Sequence, residues 1–132
     1  MTPEQAQMLR MARDTMPKEL IQGLLYRGVR RRGYVIGDRV PRGSGEGVCG
    51  VGHLCGFADV PLDWINGLAM PDDRTSDVLF DAYGLPRRSL DRIATANDGS
   101  DAHQRSAYVR LVIDAILLDF GQRPYPETEE SA

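Results

Sequence analysis

The chain has 132 residues and a mass of 14.6 kDa, with 42% hydrophobic and 27% charged residues. That excludes disorder as the default state, which needs few apolar residues and a high net charge. It also excludes a membrane-spanning helix, because no stretch reaches about 18 apolar residues without a charge. The net charge of −3 is too small for a strong global field. A chain of this size forms one domain and buries roughly two-thirds of its unfolded surface. Fifteen of the 16 basic residues are arginine, and charges of both signs are clustered.

Thr2-Pro3-Glu4-Gln5 is a helix start: Thr2 caps, Pro3 takes the first helical position and Gln5 closes a capping box. Being polar and acidic, this opening also argues against a signal peptide. The helix is expected to reach Thr15, before Met16-Pro17. A second helix is predicted from Pro17 to about Arg30, with Leu20, Ile21, Leu24, Leu25 and Gly28 on one side. Tyr34-Val35-Ile36 reads as extended, with a short β-hairpin near 34–40. Residues 37–56 hold seven of the 14 glycines, a loop by composition around Pro41–Gly47. From Val48 the chain turns apolar. Pro61–Ile65 reads as a short helix capped by Asp59 and ended by Gly67.

The second half is more regular. Asp72–Tyr83 is predicted helical, with Val78, Leu79 and Ala82 inward and Gly84 as the stop. Pro86 starts another helix carrying Leu90, Ile93 and Ala94. Asn97-Asp98-Gly99-Ser100 reads as a turn whose Asp98 or Ser100 caps the last helix. That helix carries Val109, Val112, Ile113, Ile116, Leu117 and Phe120, with a second stripe of Leu111, Ala115 and Leu118. Apolar on most sides, it is expected in the middle of the domain. Residues 122–132 read as an acidic, disordered tail after a domain spanning 1–121.

Several constellations could carry chemistry. Cys49, His53 and Cys55 supply three zinc-type ligands, and His103 or Asp59 could be a fourth. On a helix, however, Cys55 points about 200° away from His53. The same residues could form a thiol nucleophile and its base, because spacing of four puts Cys49 and His53 on one face. The other reading makes both cysteines small buried hydrophobes. Six residues separate them, too short a loop for a stabilising bridge, so they are taken as reduced thiols in a cytoplasmic protein. Gly45-x-Gly47-x-x-Gly50 matches a dinucleotide fingerprint only by letters, since no strand precedes it.

The charge clusters are opposed. Residues 27–42 carry Arg27, Arg30, Arg31, Arg32, Arg39 and Arg42 against Asp38, a net of +5. Residues 59–81 carry Asp59, Asp63, Asp72, Asp73, Asp77 and Asp81 against Arg74, a net of −5. A basic block beside Tyr26 and Tyr34 could grip nucleic acid. The pI of about 5.3 is unlike that of a dedicated nucleic-acid binder. The two blocks could instead meet, within a molecule or between copies, or steer docking to a charged partner. Asn97-Asp98 with Arg105 could bind a small polar ligand or form a cap and an ion pair.

Gly47-Val48-Cys49-Gly50-Val51-Gly52-His53-Leu54 resembles the G-x-C-x-x-G-x-L segment of a large group of small uncharacterised bacterial and phage proteins. As in that group, Gly33-Tyr34 precedes it and Gly84-Leu85, Asn97-Asp98, Arg105 and Val109 follow in order. His53 and Ala96 depart from the group, which has a small residue and often an aromatic there. The resemblance covers roughly residues 20–118 and implies a helical fold in a bacterial or phage context, without an assigned reaction. It implies structural roles for Cys49, Gly52, Asn97, Asp98 and Arg105: close packing by the Cys-x-x-Gly pair and capping by Asn-Asp.

The expectation is therefore a mainly α single domain of about six short helices, with no cofactor. Its function is expected to be non-enzymatic docking on a macromolecule, a host protein if the chain is phage-encoded, through Arg27, Arg30, Arg31, Arg39 and Arg42. A thiol hydrolase or transferase using Cys49, His53 and Cys55, nucleic-acid binding and self-association are the alternatives.

Overall fold

Thr2 and Gln5 close the expected capping box: the Thr2 hydroxyl accepts from the Gln5 amide at 3.1 Å, and Gln5 Oε1 accepts from the Thr2 amide at 2.8 Å. The Gln5 side-chain amide also donates to the carbonyls of Phe80 and Asp81, at 3.2 and 3.1 Å. The computed structural model describes residues 1–28 and 47–125, a mainly α-helical single domain. In chain order it contains α1 (Pro3–Asp14), β1 (Tyr26–Arg27), β2 (Gly47–Val48), α2 (Gly50–Phe57), a 3-10 turn (Leu62–Trp64), α3 (Asp73–Tyr83), α4 (Arg87–Asp98) and α5 (Arg105–Asp119). The described residues thus hold five α-helices and one 3-10 turn. β1 and β2 pair antiparallel, Tyr26 with Val48 and Arg27 with Gly47, and Tyr26 also bridges Asn66. The hairpin expected near 34–40 lies outside the described residues.

Periodicity places α3, α4 and α5. Asp72 caps α3 by accepting from the Thr75 amide at 2.9 Å, and Gly84, left-handed at φ 69°, ends it. α4 buries Leu90 and Ile93, and α5 buries Val109, Ile113, Ile116 and Leu117. α4 and α5 pack as a helical hairpin, and α2 seats Val51, Leu54 and Cys55 in the same core. α1 adds Ala6, Leu9 and Ala12. Tyr83 enters from α3 and donates its hydroxyl to the Leu54 carbonyl at 2.6 Å. Burial raises the pKa of this phenol, which keeps it protonated as a donor.

The predicted helix over 17–30 is absent from its described part. Residues 16–25 instead form an irregular strap that leads into β1. Its backbone groups bond across the fold rather than four residues back. The Ile21 amide donates to Val48, the Leu25 amide to Leu68, and the Leu25 carbonyl accepts from Cys49, at 3.0, 2.7 and 3.2 Å. Leu20 and Leu25 are buried, as a helical stripe also requires. The apolar residues were therefore read correctly, but tertiary hydrogen bonds override the helical preference.

Two smaller corrections concern loops. Asp59 does not cap the 3-10 turn; it adopts a left-handed φ of 62° after α2, and Pro61 stands at the cap position without a side-chain bond. The second stripe of α5 is not enclosed: Leu111 and Leu118 are 62% and 60% exposed. The periodicity allows two stripes, but the core takes only one.

Past α5 the chain lies back on α1. Arg10 donates to the Arg123 carbonyl at 2.8 Å, and Arg13 donates to the Pro124 carbonyl while its guanidinium stacks 4.5 Å from the centre of the Tyr125 ring. Arg13 is buried, with Asp114 at 2.8 Å and Asp14 at 2.9 Å as counter-charges. Burial disfavours its charge, but hydrogen bonds to these two carboxylates prevail and raise its pKa.

The strap can lie against α2 only because position 52 lacks a side chain. A Cβ on Gly52 would fall 1.7 Å from the Leu25 carbonyl oxygen, whereas one on Gly56 would meet nothing within 4 Å. Gly52→Ala is expected to destabilise by about 3 kcal/mol or more, since backbone must move, while Gly56→Ala is expected to be neutral or to stabilise by up to about 1 kcal/mol. Urea denaturation of both variants measures the contrast.

Candidate functional site

Three of the side chains singled out from sequence, Asn97, Asp98 and Arg105, converge on the strap. Asn97 is fully buried at the end of α4. Its carbonyl oxygen accepts from the Gly50 amide at 3.0 Å, capping the first turn of α2 from a neighbouring helix. Its side-chain amide donates to the Ile21 carbonyl at 2.8 Å and to Asp98 Oδ1 at 3.0 Å. Asp98 Oδ1 also accepts from the Gly23 amide at 3.1 Å. Asn97 and Asp98 are the last residues of α4 rather than a turn, and neither caps α5, whose N-cap position is Gln104, without a side-chain cap.

Arg105 completes the group by donating to the carbonyls of Asn97 and Leu20, at 3.1 and 3.2 Å, and to Gln22 Oε1 at 3.3 Å. It bonds to backbone and amide oxygens where an ion pair with Asp98 was one expectation. Gln22 in turn donates to the Asp98 carbonyl at 2.7 Å. Sequence reasoning missed Arg110, five residues further along α5, which donates to the Met16 carbonyl at 2.9 Å. A second arginine, inside a largely apolar helix, was the available signal. Two polar atoms beneath the strap, Ser106 Oγ and Arg110 Nε, are buried without a partner.

Cys49, His53 and Cys55 are separated by their partners. Cys49 is the N-cap of α2, its sulfur accepting from the Gly52 amide at 3.4 Å. Burial raises its pKa despite the helix terminus. Cys55 is fully buried, and burial, with the Cys49 thiol next in weight, pushes its pKa up to about 12. His53 turns to α1, where Nε2 lies 2.8 Å from the Ala12 carbonyl and 3.2 Å from the Thr15 hydroxyl. A carbonyl only accepts, so Nε2 carries the proton. Among the described residues no group of three or more His, Cys, Asp or Glu side chains is placed to hold a metal ion.

Two shallow hollows of about 380 and 530 Å³ flank the last turn of α4 and share Thr95 and Gly99. Cys49, His53 and Cys55 line neither. Of the basic block, Arg27 lies on β1, and Arg30, Arg31, Arg39 and Arg42 lie outside the described residues. The acidic block is exposed: Asp59, Asp63, Asp72, Asp73, Asp77 and Asp81 all face solvent. No helix among the described residues is long and apolar enough to cross a membrane.

Asn97→Ala strands a buried amide and a buried carbonyl and is expected to cost about 2–4 kcal/mol, whereas Ser106→Ala removes an unpartnered hydroxyl and is expected to be neutral or stabilising. Thermal and urea unfolding distinguish the two. The His53 pKa is lowered, first by burial and then by the Arg110 charge, against the bond to Ala12. Its contribution to stability is therefore full above the unfolded value of about 6.5 and is lost as pH falls through the window beneath it. Unfolding measured from pH 8 to pH 5 is expected to show this loss, and His53→Gln to remove that part of it. Comparison with family models, curated proteins and solved structures finds no match to this chain.

Proposed function

We propose that this protein is a non-enzymatic binding protein that docks on a macromolecular partner, a host protein if the chain is phage-encoded. The basic block of Arg27, Arg30, Arg31, Arg39 and Arg42 is the docking element, in a cytoplasmic setting. One observation carries the non-enzymatic part: the side chains best suited to chemistry are committed to holding backbone. Asn97, Asp98 and Arg105 bind the strap, His53 binds the end of α1, and Cys49 caps α2. A nucleophile needs an ionisable thiol with a base in reach. Here burial raises both thiol pKa values, and the protonated nitrogen of His53 faces a carbonyl.

The docking part rests on charge. A block of +5 within a chain of net −3 concentrates positive potential on one segment, which steers encounter with an acidic surface. The β1–β2 pair sets Arg27, the first residue of that segment, beside Gly47.

Affinity purification from the native host at low salt is expected to recover a protein partner. Arg30→Glu with Arg31→Glu is expected to lower recovery at least about tenfold, and added salt to weaken it. Recovery of nucleic acid alone, with affinity falling steeply as salt rises, would replace the protein reading with the nucleic-acid one. Native Cys49 and Cys55 are expected to resist alkylation at pH 8; rapid labelling of either would revive the thiol-enzyme reading.

A further inference from the structure

The coil between α2 and α3 exposes what a core-packing loop would hide. Val60 and Ile65 anchor it, at 4% and 0% exposure. The backbone between them is tightly wound, with Trp64 donating to Pro61, Ile65 and Asn66 to Leu62, and Leu68 to Ile65. Outside the anchors, Leu62 and Leu68 are 39% and 37% exposed, and Trp64 is half-buried. The Arg74 guanidinium lies over the Trp64 ring, 3.4 Å from its centroid. Tryptophan and arginine in contact are the residue types that most often dominate protein interfaces.

The surroundings are negative. Asp63 lies in the same turn as Trp64, and Asp77 lies one helical turn beyond Arg74 on α3. Both are exposed, and neither has an ion-pair partner among the described residues. Arg74, the one cation between residues 59 and 81, is stacked on the indole. Exposed apolar side chains within a stretch of net −5 complement a segment that presents apolar and cationic side chains together. Nucleic acid lacks the required charge.

We infer that the coil carrying Leu62, Asp63, Trp64 and Leu68, with Arg74 and Asp77 of α3, is a second docking surface, for a basic amphipathic segment of a partner protein. The coil is hydrogen-bonded to β1, where the basic block begins at Arg27, so a partner that spans both carries both signs of charge.

Trp64 is the only tryptophan in the chain, so its fluorescence reports on this surface directly. The probe is a synthetic peptide alternating lysine and leucine, titrated into the full chain at low salt. Alternating glutamate–leucine and all-lysine peptides are the controls. The expected result is a saturable change in Trp64 emission with the lysine–leucine peptide alone. Asp63→Asn with Asp77→Asn is expected to raise the half-saturation concentration about fivefold. Both carboxylates are exposed, and unchanged circular dichroism establishes that the variant folds. No emission change, equal binding by the all-lysine peptide, or an unchanged titration in the double variant would overturn the assignment. An emission change on concentrating the protein without peptide would overturn it in favour of a second copy. None of these outcomes depends on Arg30 or Arg31, so failure here leaves the basic-block reading separately testable.

Discussion

The structure depends on how closely one irregular segment approaches one short helix. Residues 16–25 lack the hydrogen bonds of a helix, so their carbonyls and amides need partners elsewhere. Gly52 lets the Leu25 carbonyl reach the face of α2, and from that seat the strap's remaining groups come within reach of α4 and α5. Asn97 is the junction, because one side chain serves the start of α2 and the back of the strap at once. A polar group left unpaired in such a network costs about 1–3 kcal/mol, more than one good bond contributes, and Arg110 Nε is one atom left so here. Backbone contacts account for the glycine at position 52 and the asparagine at position 97 in these short motifs.

What could be read from the sequence was local, and what could not was tertiary. The capping box at Thr2 and the Gly84 stop are written within four or five neighbouring residues, and both form. The apolar spacing in α4 and α5 marks the residues that enter the core. The strap was misread because Leu20, Ile21, Leu24 and Leu25 have helical spacing, yet their backbone partners lie on four other parts of the chain. Asn97-Asp98-Gly99-Ser100 has the letters of a turn, but Asn97 and Asp98 finish a helix because their side chains are occupied across the fold. Which stripe of α5 faces inward was equally illegible, as both satisfy the same period.

The candidate site followed the same division. Cys49, Asn97, Asp98 and Arg105 bond to backbone groups, and Gly52 leaves room for the Leu25 carbonyl. Their convergence on one strap was not visible, because that strap had been assigned to a helix. Arg110 and Gln22 belong to the same group without any motif around them. The two charge blocks stood out from counting alone. The structure adds that Tyr26, beside the basic block, bridges Asn66 within the acidic one. The start of the basic block and the acidic block are thus neighbours in space.

Gln5 extends this pattern to the beginning of the chain. One side chain accepts from the first turn of α1 and donates to the last carbonyls of α3. Helix ends ordinarily fray independently, each opening for little free energy while the rest stays closed. Here the start of α1 cannot fray without releasing the end of α3, some 75 residues away in sequence. The two ends therefore belong to one cooperative unit, and slow amide exchange extends closer to the N-terminus than chain position alone would suggest.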